Sequence, residues 1–288
     1  MRDNIYISTT VFRNKDLKNI LETCLKHGFT NIELGSNVNY SNAYHDLLLK
    51  FSNTPMRFLL HGYFPRPKDD FVLNLASNNE EILQKSIQHC KHTIDLSAKL
   101  KAPFYSIHAG YAFNASPDDL GHPLLKLPRI PYQQAYKTLQ TSMSELCEYA
   151  QKVKVRLAIE NNVVTNFNLE DGKNTVLLIA DELEAVKFNE LVCSPNLFYL
   201  IDLGHLKITS TSLGFDISHY LKKILPFTLA FHLSDNNSME DQHLSFNKEA
   251  WFKDIVRRNK DKFFILEAQN LETKQIRECY EDLVTMLG

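Results

Sequence analysis

Six short apolar runs in the chain each end on a residue able to bind a divalent metal. They are Arg57–His61, Phe104–His108, Arg156–Glu160, Phe198–Asp202, Leu229–His232 and Phe263–Glu267. A buried parallel strand reads as a continuous apolar run, and its carboxyl end is where α/β enzymes place their chemistry. One such ending is noise, because His, Asp and Glu are common just outside strands. Six in series, with helical stretches between them, are not explained by solubility.

The remaining elements follow the same rhythm. Ile5–Ser8 reads as a first strand, and Ile20, Leu21, Cys24 and Leu25 share one face of a helix that Gly28 stops. Asn31–Leu34 is a second strand, followed by a helix around Asn42–Phe51 and the strand to His61. Ser77–Glu80 has capping-box spacing and opens a long helix to about Leu100. After the strand to His108 comes a loop through Pro117, Pro123, Pro128 and Pro131, then a helix over Tyr132–Val153. The second half predicts helices near Thr175–Val186, Ile217–Leu225, Lys248–Arg258 and Thr273–Met286, each after one of the ligand-ended strands. Eight strands, each followed by a helix and with no linker or repeat, predict a single (β/α)8 TIM barrel over residues 1–288. An open, doubly wound sheet competes, but Thr9–Arg13 is no Gly-rich phosphate turn and the chain has only nine glycines.

Composition narrows the picture without deciding it. With 288 residues, 44% hydrophobic and 23% charged, the chain can bury a sizeable core. A net charge of -2 and a pI near 6.6 disfavour nucleic acid as a partner. The five cysteines are odd in number and form no CxxC pair, which fits free thiols in a reducing compartment. Met1–Ser8 runs straight into a strand without a signal-peptide core, and no apolar stretch approaches the ~18 residues of a bilayer span. A cytoplasmic protein without a membrane partner is expected; a homo-oligomer is compatible with the sequence.

A hard or borderline divalent ion wants carboxylate and imidazole ligands converging from different elements. Adjacent strand ends lie about 4.8 Å apart and supply that convergence. Glu160, Asp202, His232 and Glu267, from strands five to eight, form a candidate set for Mn, Mg, Co, Zn or Fe.

The motifs Ile107–Gly110, Ala158–Asn162, Ile201–His205, Phe231–Asn236 and Asp241–His243, in this order, resemble those of the xylose isomerase-like TIM barrels. That group includes sugar-phosphate isomerases and epimerases and the AP endonuclease family 2 enzymes, and the resemblance covers essentially the whole chain. It implies that Glu160, Asp202, His232 and Glu267 form the single-metal site of the epimerases, with His205 at a substrate-contacting position. For the endonuclease IV branch it implies a three-zinc cluster. There His61 and His108 would join Glu160 on one ion, and His205, Asp241 and His243 would hold another. The chain departs from many relatives after Asp241-Gln242-His243, where Leu244–Glu249 contains no glycine in place of a Gly-x-Gly turn.

Two chemistries use such a site. In isomerisation or epimerisation of a small sugar or sugar phosphate, Glu160 and Glu267 flank the bound carbons as base and acid. In phosphoester hydrolysis, a multinuclear cluster activates water. The first is expected, since the matched motif set is common among the isomerase-like members of that group and the chain is not basic; a barrel that has lost catalysis is the third reading. His108, His205, Glu33 and Asn162 are candidate substrate contacts, although Glu33 could equally form a rim salt bridge and Asn161 and Asn162 could cap the strand-five turn. Tyr63, Phe64, Tyr111 and Phe113 follow ligand-bearing strands and could wall a pocket. His27, His45, His89, His92 and His219 fall on helices, and His122 sits in the Pro-rich loop as a lid or surface residue. Arg66, Lys173 and Lys207 are scattered and announce no phosphate site.

Overall fold

The inward face of each strand repeats every second residue, and this period explains why the apolar runs end on ligands. Leu59 is followed two residues later by His61, Ala158 by Glu160, Leu200 by Asp202, Ala230 by His232 and Ile265 by Glu267. The first member of each pair belongs, with Tyr6 and Phe104, to a buried cluster that plugs the interior; Phe198 and Phe263 pack against it. The intervening residues, such as Ile7, Leu60, Ile107, Ile159 and Ile201, join the larger core between strands and helices.

The computed structural model describes residues 2–119 and 124–288; Pro123 and His122 of the expected loop lie outside the described residues. In chain order the strands are β1 (Ile5–Ser8), β2 (Asn31–Leu34), β3 (Arg57–His61), β4 (Phe104–His108) and β5 (Arg156–Glu160). A two-residue antiparallel hairpin, β6 (Leu169–Glu170) with β7 (Lys173–Asn174), precedes β8 (Leu197–Asp202), β9 (Thr228–Leu233) and β10 (Phe263–Leu266). Among the described residues, all strands but the hairpin form one closed parallel barrel, in the order β1-β2-β3-β4-β5-β8-β9-β10 and back to β1. This is the expected TIM barrel. Register aligns the ligands: His108 pairs with Glu160 and Asp202 with His232. Glu267 follows β10 directly, its N–H donating to the Leu233 carbonyl at 3.0 Å.

The helices are α1 (Leu17–Lys26), α2 (Tyr44–Ser52), α3 (Glu80–Lys99), α4 (Tyr132–Lys152), α5 (Glu182–Val192), α6 (Leu203–Leu213), α7 (Ile217–Ile224), α8 (Lys253–Arg258) and α9 (Thr273–Leu287). Four expectations are corrected. The third helix is capped by Asn79 in place of Ser77; the Asn79 side chain accepts from Glu81 and Ile82 N–H. The helix expected over Thr175–Val186 starts at Glu182, after the Asp181 cap. Val176–Ala180 is instead an apolar loop with buried side chains, and Leu177 lines the cavity at the barrel mouth. The helix expected from Lys248 begins only at Lys253. α6 was not expected at all: it starts immediately after β8, with Asp202 both ending the strand and capping the helix.

Cys24, Cys90, Cys147 and Cys279 are free and buried, and Cys193 is free and exposed. Among the described residues, no helix is long and apolar enough to cross a membrane.

Leu200→Ala will destabilise the protein by ~2–5 kcal/mol in denaturant unfolding, because it opens a cavity in the interior plug. Leu183→Ala, at a 72% exposed position, will change stability by less than ~0.5 kcal/mol. Equal small effects would contradict a close-packed barrel interior.

Candidate metal centre and cavity

His232 stands at the middle of the mouth and is fully buried. Its Nε2 lies 3.0 Å from Glu33 Oε2. A proton on Nε2 donated to Glu33 leaves the Nδ1 lone pair aimed at other carboxylates: Glu267 Oε2 at 2.6 Å, Glu160 Oε1 at 3.0 Å and Asp202 Oδ2 at 3.9 Å. Lone pairs facing one another at such distances repel unless a cation or proton lies among them. Glu33 therefore sits behind the imidazole and orients it, the arrangement that commonly fixes metal-binding histidines.

Glu160 links this centre to a second group. Its Oε1 meets His232, and its Oε2 lies 3.0 Å from His108 Nδ1 and 3.3 Å from His61 Nε2. His61 Nδ1 is in turn 3.0 Å from Ser106 Oγ, which fixes the ring. A third group forms where His205 Nε2 and His243 Nε2 approach Asp241 Oδ2, at 3.3 and 3.0 Å. His205 is held on both sides: its backbone N–H donates to Asp202 Oδ1 at 2.7 Å, and its Nδ1–H donates to the Asn161 carbonyl at 3.0 Å. Asn161 ties the two strand ends together, accepting from Asp202 N–H and donating to the Asp202 carbonyl. The glycine-free loop after β9 closes through paired Asp235 and Leu244 backbone bonds, and Ser238 and His243 themselves take positive φ, 68° and 45°.

These charges are strongly interdependent. Burial alone would raise the Glu160 carboxyl, but His108, His61 and His232 hold it well below the usual range. Burial disfavours a charged His232, yet Glu267, Glu33 and Glu160 raise it well above an ordinary histidine. His205 is likewise raised, against burial, by Asp202, Asp241 and Glu160. His61 differs, because burial prevails over Glu160 and Glu33 and lowers it. His243 is raised to about 9 by Asp241 in spite of burial.

Several buried donor-set atoms have no hydrogen-bond partner among the described residues: Glu160 Oε2, Asp202 Oδ2, Asp241 Oδ1 and His243 Nδ1. Buried carboxylates are costly unless paired or coordinated. The ligand atoms of Glu160, Asp202, His232 and Glu267 lie within 4.8 Å of one another, as do those of His61–His108–Glu160 and of His205–Asp241–His243. The oxygen and imidazole donors and the orphaned oxygens fit a divalent ion. All the metal-ligating candidates of the sequence are thus brought together.

A cavity of about 640 Å³ opens above them, reached by His61, His108, Glu160, His205, Asp241, His243 and Glu267. Asn162 lines it too, but its side-chain NH2 is engaged by the Gly110 and Leu178 carbonyls, both at 2.9 Å. Tyr111 and Phe113 wall the cavity, whereas Phe64 packs in the core between strands and helices. A smaller space of about 350 Å³ adjoins it, lined by Tyr63, Arg66, Asp70 and Phe71 and sharing His108 and Tyr111. A groove of about 660 Å³ between α4, α5 and the hairpin lies apart from every ligand group. The sequence reading missed Ser106, Thr10, Phe167 and Gln269. Only Ser106 carried a signal, as a polar residue two positions before His108.

A family model described as xylose isomerase-like TIM barrel matches residues 21–283. The chain is 24% identical to the uncharacterized protein MJ1614 of Methanocaldococcus jannaschii, over 98% of both chains. It is 24% identical over 188 residues to fructoselysine 3-epimerase of Shigella flexneri, a match spanning 63% of this chain and 56% of that protein. The crystal structure of a D-tagatose 3-epimerase-like protein superposes with a TM-score of 0.74 at 17% identity, covering 99% of this chain and 97% of that one. That structural likeness establishes the fold.

An ion bound by His243, His205 and His232 would compete with protons for their ring nitrogens, because the neighbouring carboxylates raise all three above an ordinary histidine. His243 is raised from 6.5 to about 9, so its protonated pairing with Asp241 stabilises the ion-free fold below pH 6.5 and fades as pH rises through 9. Affinity for Zn or Mn will therefore climb across that window, with proton release visible by calorimetry in buffers of different ionisation enthalpy. A flat affinity without proton release would contradict this assignment.

Proposed function

The chain belongs to the xylose isomerase-like TIM barrel family, and from that premise we propose that it is a metal-dependent isomerase or epimerase of a small sugar or sugar phosphate. The observation that carries this reading is the meeting of Glu160 and Glu267, from opposite sides of the ligand arc, at one nitrogen of His232 while both also face the cavity. A divalent ion held by Glu160, Asp202, His232 and Glu267 would supply a Lewis acid to a bound carbonyl. In this reading one glutamate would take a proton from the carbon beside that carbonyl and the other would return one. His108 and His205, on the cavity wall, would hydrogen-bond substrate hydroxyls. Fructoselysine 3-epimerase and the D-tagatose 3-epimerase-like protein support the substrate class by their names.

The test is solvent deuterium uptake at the carbon next to the carbonyl, across a panel of ketoses and their phosphates incubated with ion-loaded protein. Uptake is expected for at least one of them, reduced ~10²–10⁴-fold in Glu267→Gln. Absence of exchange throughout the panel would overturn the reading, as would full turnover in Glu160→Gln with the ion retained.

A second reading, phosphoester hydrolysis by a multinuclear cluster, is favoured by the His61–His108–Glu160 and His205–Asp241–His243 groups, which a one-ion isomerase does not need. Cleavage of an abasic-site DNA duplex, lost in His108→Ala, would put it first. Inactivity on that duplex with two or three ions bound would remove it.

A further inference from the structure

The cavity has two chemically different sides. The ligand side carries the histidines and carboxylates; the other, from the loops after β4 and β5, is mostly apolar, with Asn162, Thr165 and Asn168 as its polar members. Tyr111 and Phe113 stack there, ring centroids 5.1 Å apart and planes inclined by 24°. Leu177 pairs with Tyr111 through a backbone bridge. Behind them Phe113, Val164, Val176, Leu177 and Ala180 form a small buried core, so this wall is supported by packing. Phe167 lines the same cavity yet is 53% exposed. An apolar ring left in water at the edge of a cavity gains from being covered by a ligand.

Charge points the same way. Phosphate sites rely on Arg, Lys or helix N-termini. Among the described residues, no Lys or Arg lines the main cavity, while Glu240 adds a further acid to its wall. Among the described residues, the one Lys or Arg in the adjoining space is Arg66, and it is ion-paired with Asp70. The volume of about 640 Å³ falls in the ~300–1,000 Å³ range of sites that enclose drug-sized ligands, more than one monosaccharide ring fills.

We infer that the substrate is an uncharged sugar joined to an apolar or aromatic group, which lies against Tyr111 and Phe167, and not a free monosaccharide or a phosphate ester. This rests on the sugar reading above and names the substrate class of that site. Tyr111 and Phe167 are then specificity-determining residues, outside the proton-transfer pair.

The test is calorimetric titration of ion-loaded protein with fructose, fructose 6-phosphate, 1-O-benzylfructose and 6-O-benzylfructose. At least one benzyl ether will bind about tenfold or more tighter than fructose, and the phosphate no tighter. In Phe167→Ala the ratio of benzyl-ether to fructose affinity will collapse toward one; the position is 53% exposed, and thermal unfolding of the variant checks that the fold is kept. Benzyl ethers binding no better than fructose would overturn the inference while leaving the sugar reading intact. Tightest binding of the phosphate would overturn it in favour of an anionic subsite. Failure of all four probes to bind would overturn the sugar reading, and the inference would fall with it.

Discussion

The rest of the site depends on the crowding of carboxylates around one buried imidazole. Glu33, Glu160, Asp202 and Glu267 surround His232, all of them nearly or fully removed from water. Such a group is unfavourable on its own, since each carboxylate loses hydration and each repels the next. A barrel can hold it because the strands beneath are fixed by the apolar plug, so the ligands cannot splay apart without opening the interior. A divalent ion bound among these donors would relieve that repulsion.

Asp202 shows how closely scaffold and site are joined. One oxygen caps α6 through His205 N–H and the other faces His232, so the residue that aligns the helix also completes the centre. The cap sets His205 in place, and Asn161 fixes its ring from the other side. Gly204 sits where a Cβ would crowd Ser234 Oγ at 2.8 Å and Asn236 Nδ2 at 3.2 Å, forcing those side chains to shift. Asn236 in turn donates to the Gly204 carbonyl and anchors the loop that presents Asp241 and His243.

The barrel and the clustering of its candidate ligands were legible in the sequence because strand periodicity and chemistry coincide. Leu200 to Asp202 and Ile265 to Glu267 are single steps along an inward face, visible without coordinates. α6 was not legible, because its first turn, Leu203-Gly204-His205-Leu206, carries a glycine and nearly uniform burial in place of an amphipathic stripe. Val176–Ala180 misled in the opposite sense: a compact apolar run looks helical until the barrel mouth it covers is known. Glu33 was weighed as a substrate contact or a rim salt bridge, and only the closed ring of strands shows it buried behind His232, off the cavity wall. The cavity walls lay beyond the sequence altogether, since Phe167 and Gln269 meet the ligands through tertiary structure alone.

The most direct test of a metal centre at Glu160, Asp202, His232 and Glu267 is the number of ions per chain in protein purified without chelator or added metal, compared with Asp202→Asn. Asparagine keeps the α6 cap but removes the charge facing His232. The account predicts at least one divalent ion per chain in the parent and a substoichiometric amount in the variant, with the fold retained. A parent purified without ions that also fails to take them up, or a variant that holds its ion undiminished, would contradict it.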